Sequence, residues 1–276
     1  MCKVLKVSKS GYYKWAKSCP SKRFVANKEL TEQIRQIYQL SKQTYGSPRI
    51  TKALHDRSYR VSRPRVARLM RKAGISSKVR KKYVRTTDSK HAYRVFDNLL
   101  DRDFKVGNIG QVWVSDITYI PTKQGWLYLT TVIDLGDRKV IGWAMSNSLK
   151  AADTSIAAFN MAVKNRPITQ NLIFHSDRGV QYACNEFTAM LRSYRMIKQS
   201  MSRKGNCWDN AVAESFFKSL KSEWTNWHKY QSLKQAELSV FEYIEGWYNS
   251  KRKHSALGYL SPMEYENFLL TNKSVA

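Results

Sequence analysis

At residue 107 the chain changes its period, and the new pattern leaves few architectures open. Runs 111–120, 125–134 and 138–146 are rich in β-branched and aromatic residues, and short turns over 121–124 and at Gly136-Asp137 separate them. That is the pattern of a three-stranded antiparallel meander. Helix and strand then alternate: a helix near 153–163, a short apolar strand over 171–174, a helix near 185–194, a strand around 196–199 and a long helix over 209–224. Three strands followed by such alternation predict an α/β body, a mixed sheet with helices on its faces. A helical segment over 233–248 and a short C-terminal helix follow.

Ahead of residue 107 the spacing is helical. Leu30, Ile34, Ile37, Tyr38 and Leu40 recur with the period of one helix face over 28–43. A second short helix over 49–57 follows the turn Tyr45-Gly46-Ser47-Pro48. A third starts at Ser62, a good N-cap, with Pro64 in its first turn, and stops at Gly74. Two short helices joined by a tight turn, the second carrying Arg63, Arg65, Arg68, Arg71 and Lys72, predict a helix-turn-helix unit. Its cations should meet phosphates, because no Asn or Gln is placed to read a base edge. The bland alternative is a helical hairpin with a solvated basic face.

Charge favours the first reading. Residues 1–106 hold 28 Lys/Arg against 7 Asp/Glu, residues 107–276 hold 20 against 14, and the net charge is +27. A basic half ahead of a balanced body marks a polyanion-binding module, and nucleic acid is the expected partner. No run approaches the ~18 apolar residues of a membrane span, and no secretory leader is visible, so a cytoplasmic protein without a membrane partner is expected. Cys2, Cys19, Cys184 and Cys207 do not combine with the five histidines at zinc-ligand intervals, so four free thiols and no structural zinc are expected.

Three acids stand where acids are costly. Asp116 lies mid-strand on the face of Val112, Val114 and Ile120; Asp177 follows the apolar run Leu172-Ile173-Phe174; Glu214 lies on an amphipathic helix with the apolar stripe Val212, Phe216 and Leu220. Carboxylates against apolar elements need a partner, and a hard divalent cation between acids is a natural one in so basic a protein. Asn210, Glu214, Lys218 and Lys221 share a neighbouring stripe at i, i+4, i+8 and i+11, which lets Glu214 face a metal while the lysines hold phosphates. The ordinary alternatives are an i,i+4 Glu–Lys pair on a solvated face and, for Asp116, a buried acid paired with an arginine. The other acids have plainer readings. Asp134 and Asp137 read as turn acids, Asp153 and Asp209 as helix caps, and Asp101 and Asp103 as partners of the basic linker.

The stretch from His175-Ser176-Asp177-Arg178-Gly179 to Gln181-Tyr182, continued by Ser200 to Lys221 around Trp208-Asp209-Asn210 and Glu214-Ser215-Phe216-Phe217, resembles the catalytic signature of DDE transposases related to retroviral integrases. The likeness is greatest to the second-frame (OrfB) product of the IS-three family of bacterial insertion sequences. Trp113 to Tyr119 matches the family's first acid, and Tyr248 to Pro262 its C-terminal signature. Tyr45 to Ile50 with Val66 to Met70 matches its helix-turn-helix. The likeness covers residues 28–268. One departure is visible: residues 178–213 place one residue more than usual between the second and third acids, and the connection at 194–198 is where it would be absorbed.

The resemblance implies a ribonuclease-H-like integrase catalytic core behind an all-α helix-turn-helix module. The implied activity is Mg²⁺-dependent cleavage and strand transfer at insertion-sequence ends, without a covalent protein–DNA intermediate. Asp116, Asp177 and Glu214 would hold two Mg²⁺, with Mn²⁺ a substitute. His175 would pack beside Asp177 rather than act as a base. DNA contacts are expected from Lys221, then Lys218, Arg178, Arg203 and Lys204. Implied partners are terminal-repeat and target DNA, a second copy or more in the synaptic complex, and a first-frame (OrfA) product, in a bacterial, nucleoid-associated protein. The expected layout is a basic helical or interface segment at 1–27, the helix-turn-helix module at 28–75 and a basic linker at 76–106 that orders on DNA. The catalytic core follows at 107–228 and a helical extension at 229–276. Two other functions are weighed: a DNA-binding regulator on a degenerate core, and a nuclease that does not transpose.

Overall fold

The computed structural model describes residue 2, residues 4–78 and residues 93–273. It divides into two compact units, Met1–Lys78 and Val79–Ala276. Of the linker expected over 76–106, residues 79–92 lie outside the described residues.

The first unit is all helical, with α1 (Lys9–Ala16), α2 (Lys22–Leu40), α3 (Ser47–Asp56) and α4 (Arg63–Lys72). α2 begins earlier than the apolar spacing predicts, because Ser21 caps it by accepting from the Phe24 N–H at 3.2 Å. Its Leu30, Ile34 and Ile37 meet Ile50 and Leu54 of α3 and Val66, Leu69 and Met70 of α4 in a small core, all buried. Leu40, expected in that core, is exposed because the helix ends there. Ser62 adopts the extended N-cap conformation without a side-chain cap bond, and Gly74 closes α4 at φ +67°. The α3–α4 pair is the predicted helix-turn-helix. No helix among the described residues is long and apolar enough to cross a membrane. Cys2, Cys19 and Cys184 are free thiols.

The second unit is built on a five-stranded sheet of order β3-β2-β1-β4-β5, from β1 (Val112–Thr122), β2 (Gly125–Asp134), β3 (Val140–Ser146), β4 (Leu172–Ser176) and β5 (Ile197–Met201). β1 pairs antiparallel with β2 and parallel with β4, so the predicted meander supplies one half of a mixed sheet. Trp113 on one face of β1 joins Val132, Phe174 and Phe187 in a core beneath α5 (Ala157–Asn165) and α7 (Asn185–Ser193). Gly142 is required there, since a Cβ would stand 2.3 Å from the Ala158 carbonyl oxygen. The opposite face carries Val114, Asp116, Thr118 and Ile120 and lies under α8 (Ala211–Glu223) and α9 (Leu233–Phe241). A π-helical stretch, Glu242–Asn249, prolongs α9, and α10 spans Pro262–Lys273. Asn249 bonds both the N–H and C=O of Val140 at 3.0 Å, which ties the C-terminal helices to β3.

Several acids differ from their plain sequence readings. Asp134 and Asp137 are fully buried and hold the Arg166 guanidinium, each at 2.6 Å, rather than serving only a turn. Asp134 also accepts from the Trp113 indole at 3.0 Å. Asp153 sits in the first turn of a π-helical lead-in to α5 and caps nothing. Asp101 meets Arg203 of the later loop at 3.0 Å instead of a linker cation, whereas Asp103 accepts from the Lys105 N–H within the linker at 3.2 Å.

Candidate active site

Strand register brings the first two acids together. In the parallel β1–β4 pairing Ser115 stands beside Ser176, so Asp116 and Asp177 are the next residues on neighbouring paths, on one face of the sheet. α8 crosses that same face and carries Glu214. Its approach to β1 is fixed by Asn210, which is buried and donates its amide to the Ser115 carbonyl at 3.1 Å. Asp116 Oδ1 accepts from the Ile117 N–H at 2.8 Å, and Asp177 Oδ1 from the Gly179 N–H at 2.9 Å.

The charges in this corner act on one another. Burial pushes the Asp116 carboxyl well above its ordinary range, and Asp177 and Glu214 push it further, while the Ile117 N–H and Lys221 oppose them. Glu214, although its side chain reaches solvent, is raised by desolvation and by Asp177. Lys221 is lowered by desolvation, with Asp116 opposing. Among the described residues Asp116 has no arginine partner, which removes its structural alternative. Like charges held together in a desolvated corner are what a multivalent cation offsets.

The donor set fits a hard divalent ion. The three acids supply carboxylate oxygens, the donor type such an ion prefers. Two buried polar atoms beside them, Thr131 Oγ1 directly across from Asp116 and Asn210 Oδ1, have no hydrogen-bond partner, and such atoms suit the waters that Mg²⁺ retains. Among the described residues no three His, Cys, Asp or Glu side chains are drawn close enough to ligate one ion.

His175 is buried, with Nδ1 at 2.8 Å from Ser200 Oγ and Nε2 at 3.2 Å from Ser202 Oγ. Burial lowers its pKa to about 4. Its two ring contacts make it a strut between β4 and the end of β5. The Ser115 and Tyr182 hydroxyls are engaged with each other, since Ser115 Oγ and Tyr182 OH lie 2.8 Å apart and are buried.

The expected DNA contacts are unequal. Lys218 and Lys204 are exposed, and Lys221 is partly buried near Asp116. Arg178 spends its Nε on the Ser202 carbonyl at 2.7 Å. Arg203 is held by Asp209 and Asp101, both at 3.0 Å. Asp209 therefore does not cap α8. It is buried, accepts from the Arg203 N–H at 2.9 Å and pairs with Arg102 at 2.9 Å, and these bonds hold its carboxyl far below the usual range. On α4, Arg63, Arg68, Arg71 and Lys72 are exposed, but Arg65 is partly buried and gives its fork to Asn27 Oδ1 at 2.8 and 3.2 Å. Thr131 was not singled out from sequence, and Asn210 was placed on the stripe of Glu214 without a role in the site. The available signal was a polar residue on an otherwise apolar face, Thr131 after Leu127 and Leu129, and Asn210 one turn before Glu214.

Residues 108–207 and 195–262 each match an integrase core domain family, and residues 26–83 match an HTH-like domain. The chain is 39% identical over 272 residues to the transposase InsF of insertion sequence IS3A from Escherichia coli K12, covering 97% of this chain and 93% of that protein. It is 37% identical over 265 residues to a 31 kDa protein of insertion element IS600 from Shigella sonnei, covering 96% and 97%. Among solved structures, the HTLV-2 integrase catalytic core domain in complex with magnesium is 17% identical at a TM-score of 0.43, over 56% of this chain and 95% of that one. The simian T-cell lymphotropic virus intasome with a PP2A regulatory subunit is 14% identical at 0.41, over 76% and 67%.

Proposed function

The chain belongs to the IS3-type insertion-sequence transposases, which carry an integrase core behind an HTH-like domain, and on that premise we propose that Asp116, Asp177 and Glu214 are its catalytic triad. They would hold two Mg²⁺, or Mn²⁺, while cutting and joining element ends. A divalent ion there supplies Lewis-acid stabilisation of charge on phosphodiester oxygens. The single observation that supports this reading is the register that sets Asp116 beside Asp177 on the sheet face crossed by the helix of Glu214, where Asp177 raises the carboxyls of both Asp116 and Glu214.

The chain's own groups fill the other roles. Lys221, partly desolvated beside Asp116, and Lys218, one turn beyond Glu214, bind the phosphates of the DNA end. Arg178, Arg203 and Lys204 border the same site, with the first two already committed to local partners. Asn210 fixes the distance between α8 and β1. Nicking breaks a P–O3′ bond with water as nucleophile, and strand transfer breaks a target phosphodiester with the freed 3′-hydroxyl. The engaged Ser115 and Tyr182 hydroxyls fit a direct displacement without a covalent enzyme intermediate. Arg63, Arg68, Arg71 and Lys72 of α4 anchor terminal-repeat DNA through phosphates. Joining two ends calls for at least two copies in the synaptic complex, and a first-frame product is a further partner of this reading, as is a place beside the bacterial nucleoid.

Incubation of the purified protein with a labelled element end, target DNA and Mg²⁺ tests the proposal. Joined products are expected. Cleavage without joining would indicate a nuclease, and a mobility shift without cleavage a regulator.

A further inference from the structure

The loop between β5 and α8 presents a tryptophan at the lip of the acid site. Trp208 is 69% exposed, and its ring and indole N–H have no partner among the described residues. It precedes two of the most firmly held residues of the unit. Asp209 is buried under Arg203 and Arg102, and Asn210 is bonded to the Ser115 carbonyl next to Asp116. At the other end of the loop the Ser202 N–H donates to the Ser176 carbonyl at 2.9 Å, next to Asp177. The loop is thus pinned beside both aspartates, with Lys204 exposed and Gly205 turning at φ +71° between the pins. A large apolar side chain left in water costs the free protein solvation energy, and here it stands two residues from a contact with the strand that carries the first acid.

We propose that Trp208 is a base-stacking subsite, receiving the face of a nucleobase that loses its pairing at the DNA end being cut or joined. The inference rests on the transposase reading of the acid site. Asp116 and Asp177 lie at the sheet surface beneath α8, so a phosphate entering that corner must leave the regular duplex path. A base at such a position is unstacked, and an exposed indole replaces the lost stacking whatever the base. The exposed Lys204 on the same loop suits a nucleotide more than an apolar partner surface.

The test compares the full chain with Trp208→Ala and Trp208→Phe on a labelled duplex bearing the insertion-sequence end. The duplex is used intact or with one abasic nucleotide stepped through the positions flanking the cut. Trp208→Ala should join ends about tenfold more slowly with duplex binding unchanged, and Trp208→Phe should recover most of the rate. One abasic position should erase the difference between wild type and Trp208→Ala. A 2-aminopurine at that position, read in Ca²⁺, should be quenched by wild type and not by Trp208→Ala. Equal rates for wild type and Trp208→Ala, or a Phe variant as slow as Ala with no abasic position closing the gap, overturn the subsite. If wild type binds the end but joins nothing, the transposase reading fails, and the 2-aminopurine series then decides the stacking by itself. A changed oligomeric state in Trp208→Ala with unchanged 2-aminopurine signal makes the indole a protein contact and also overturns the proposal.

Discussion

Arg252 closes on Glu223 with both edges of its guanidinium, Nε to Oε2 at 2.7 Å and Nη2 to Oε1 at 2.6 Å, and both side chains are buried. Nη2 also reaches Ser219 Oγ at 3.1 Å, and the Tyr243 hydroxyl donates to Glu223 at 3.3 Å. The pair joins the C-terminal segment to the last turn of α8, the helix that also carries Glu214, Lys218 and Lys221.

Removing Arg252 leaves a buried carboxylate without its partner. Arg252→Met should cost about 3–5 kcal/mol of unfolding free energy, and a double variant with Glu223→Leu should recover much of that loss. Urea unfolding of the two single variants and the double variant measures the coupling. Additive losses would mean that the pair does not act as a unit.

Asp116→Asn, Asp177→Asn and Glu214→Gln should each abolish Mg²⁺-dependent joining and leave end binding nearly unchanged, and full activity in one of them removes that residue from the site. A second readout concerns stability. The raised Asp116 pKa means that its charged form is disfavoured in the fold. The penalty is present above the ordinary carboxylate pKa and fades as pH falls through the folded value. Asp116→Asn should therefore melt higher than wild type at pH 7 in EDTA, with the gain shrinking in acid.

Asp209 has the opposite sign. Its carboxyl is depressed, first by Arg203 and then by the Arg203 N–H and Arg102. Its contribution is present above the unfolded carboxylate pKa and is lost only as pH falls through the lower folded value. Asp209→Asn should cost about 1–3 kcal/mol at pH 7, and the deficit should narrow below about pH 4. Unfolding titrations from pH 7 to strong acid report it, and a deficit that does not change with pH would assign the loss to packing.

On α4 the arginines should separate into two classes. Arg68→Ala and Arg71→Ala should weaken end binding at all sequences and each reduce the salt slope by about one. Arg65→Ala should instead lower the stability of the helical unit, because it strands Asn27. Binding isotherms across salt concentrations, with melting curves alongside, distinguish the two classes.

How much was legible in sequence follows from how far each residue's partner lies along the chain. Asp116 was legible because a carboxylate alternating with Val112, Val114 and Ile120 has no local reason to be there. Gly74 and Ser62 marked α4 because helix ends are written within a few residues. Asp209 was misjudged because an acid ahead of a helix has the same local pattern whether it caps the helix or anchors a distant arginine, and here Arg102 and Arg203 take it. Asp134 and Asp137 flank a glycine turn, yet their partner Arg166 lies beyond α5 with no pattern to announce it. Arg65 has the same helical spacing as its exposed neighbours, and only the fold places Asn27 against it.

The parallel pairing of β1 with β4 has a consequence for the host cell. Asp116 leaves the ribosome well before Asp177, with three strands and a helix in between, and Glu214 follows later still. A chain that has folded only its first three strands owns one acid and no site. With the proposed triad, the transposase is thus unarmed while it is being made, and its chemistry begins only when the long-range pairing of the sheet is complete.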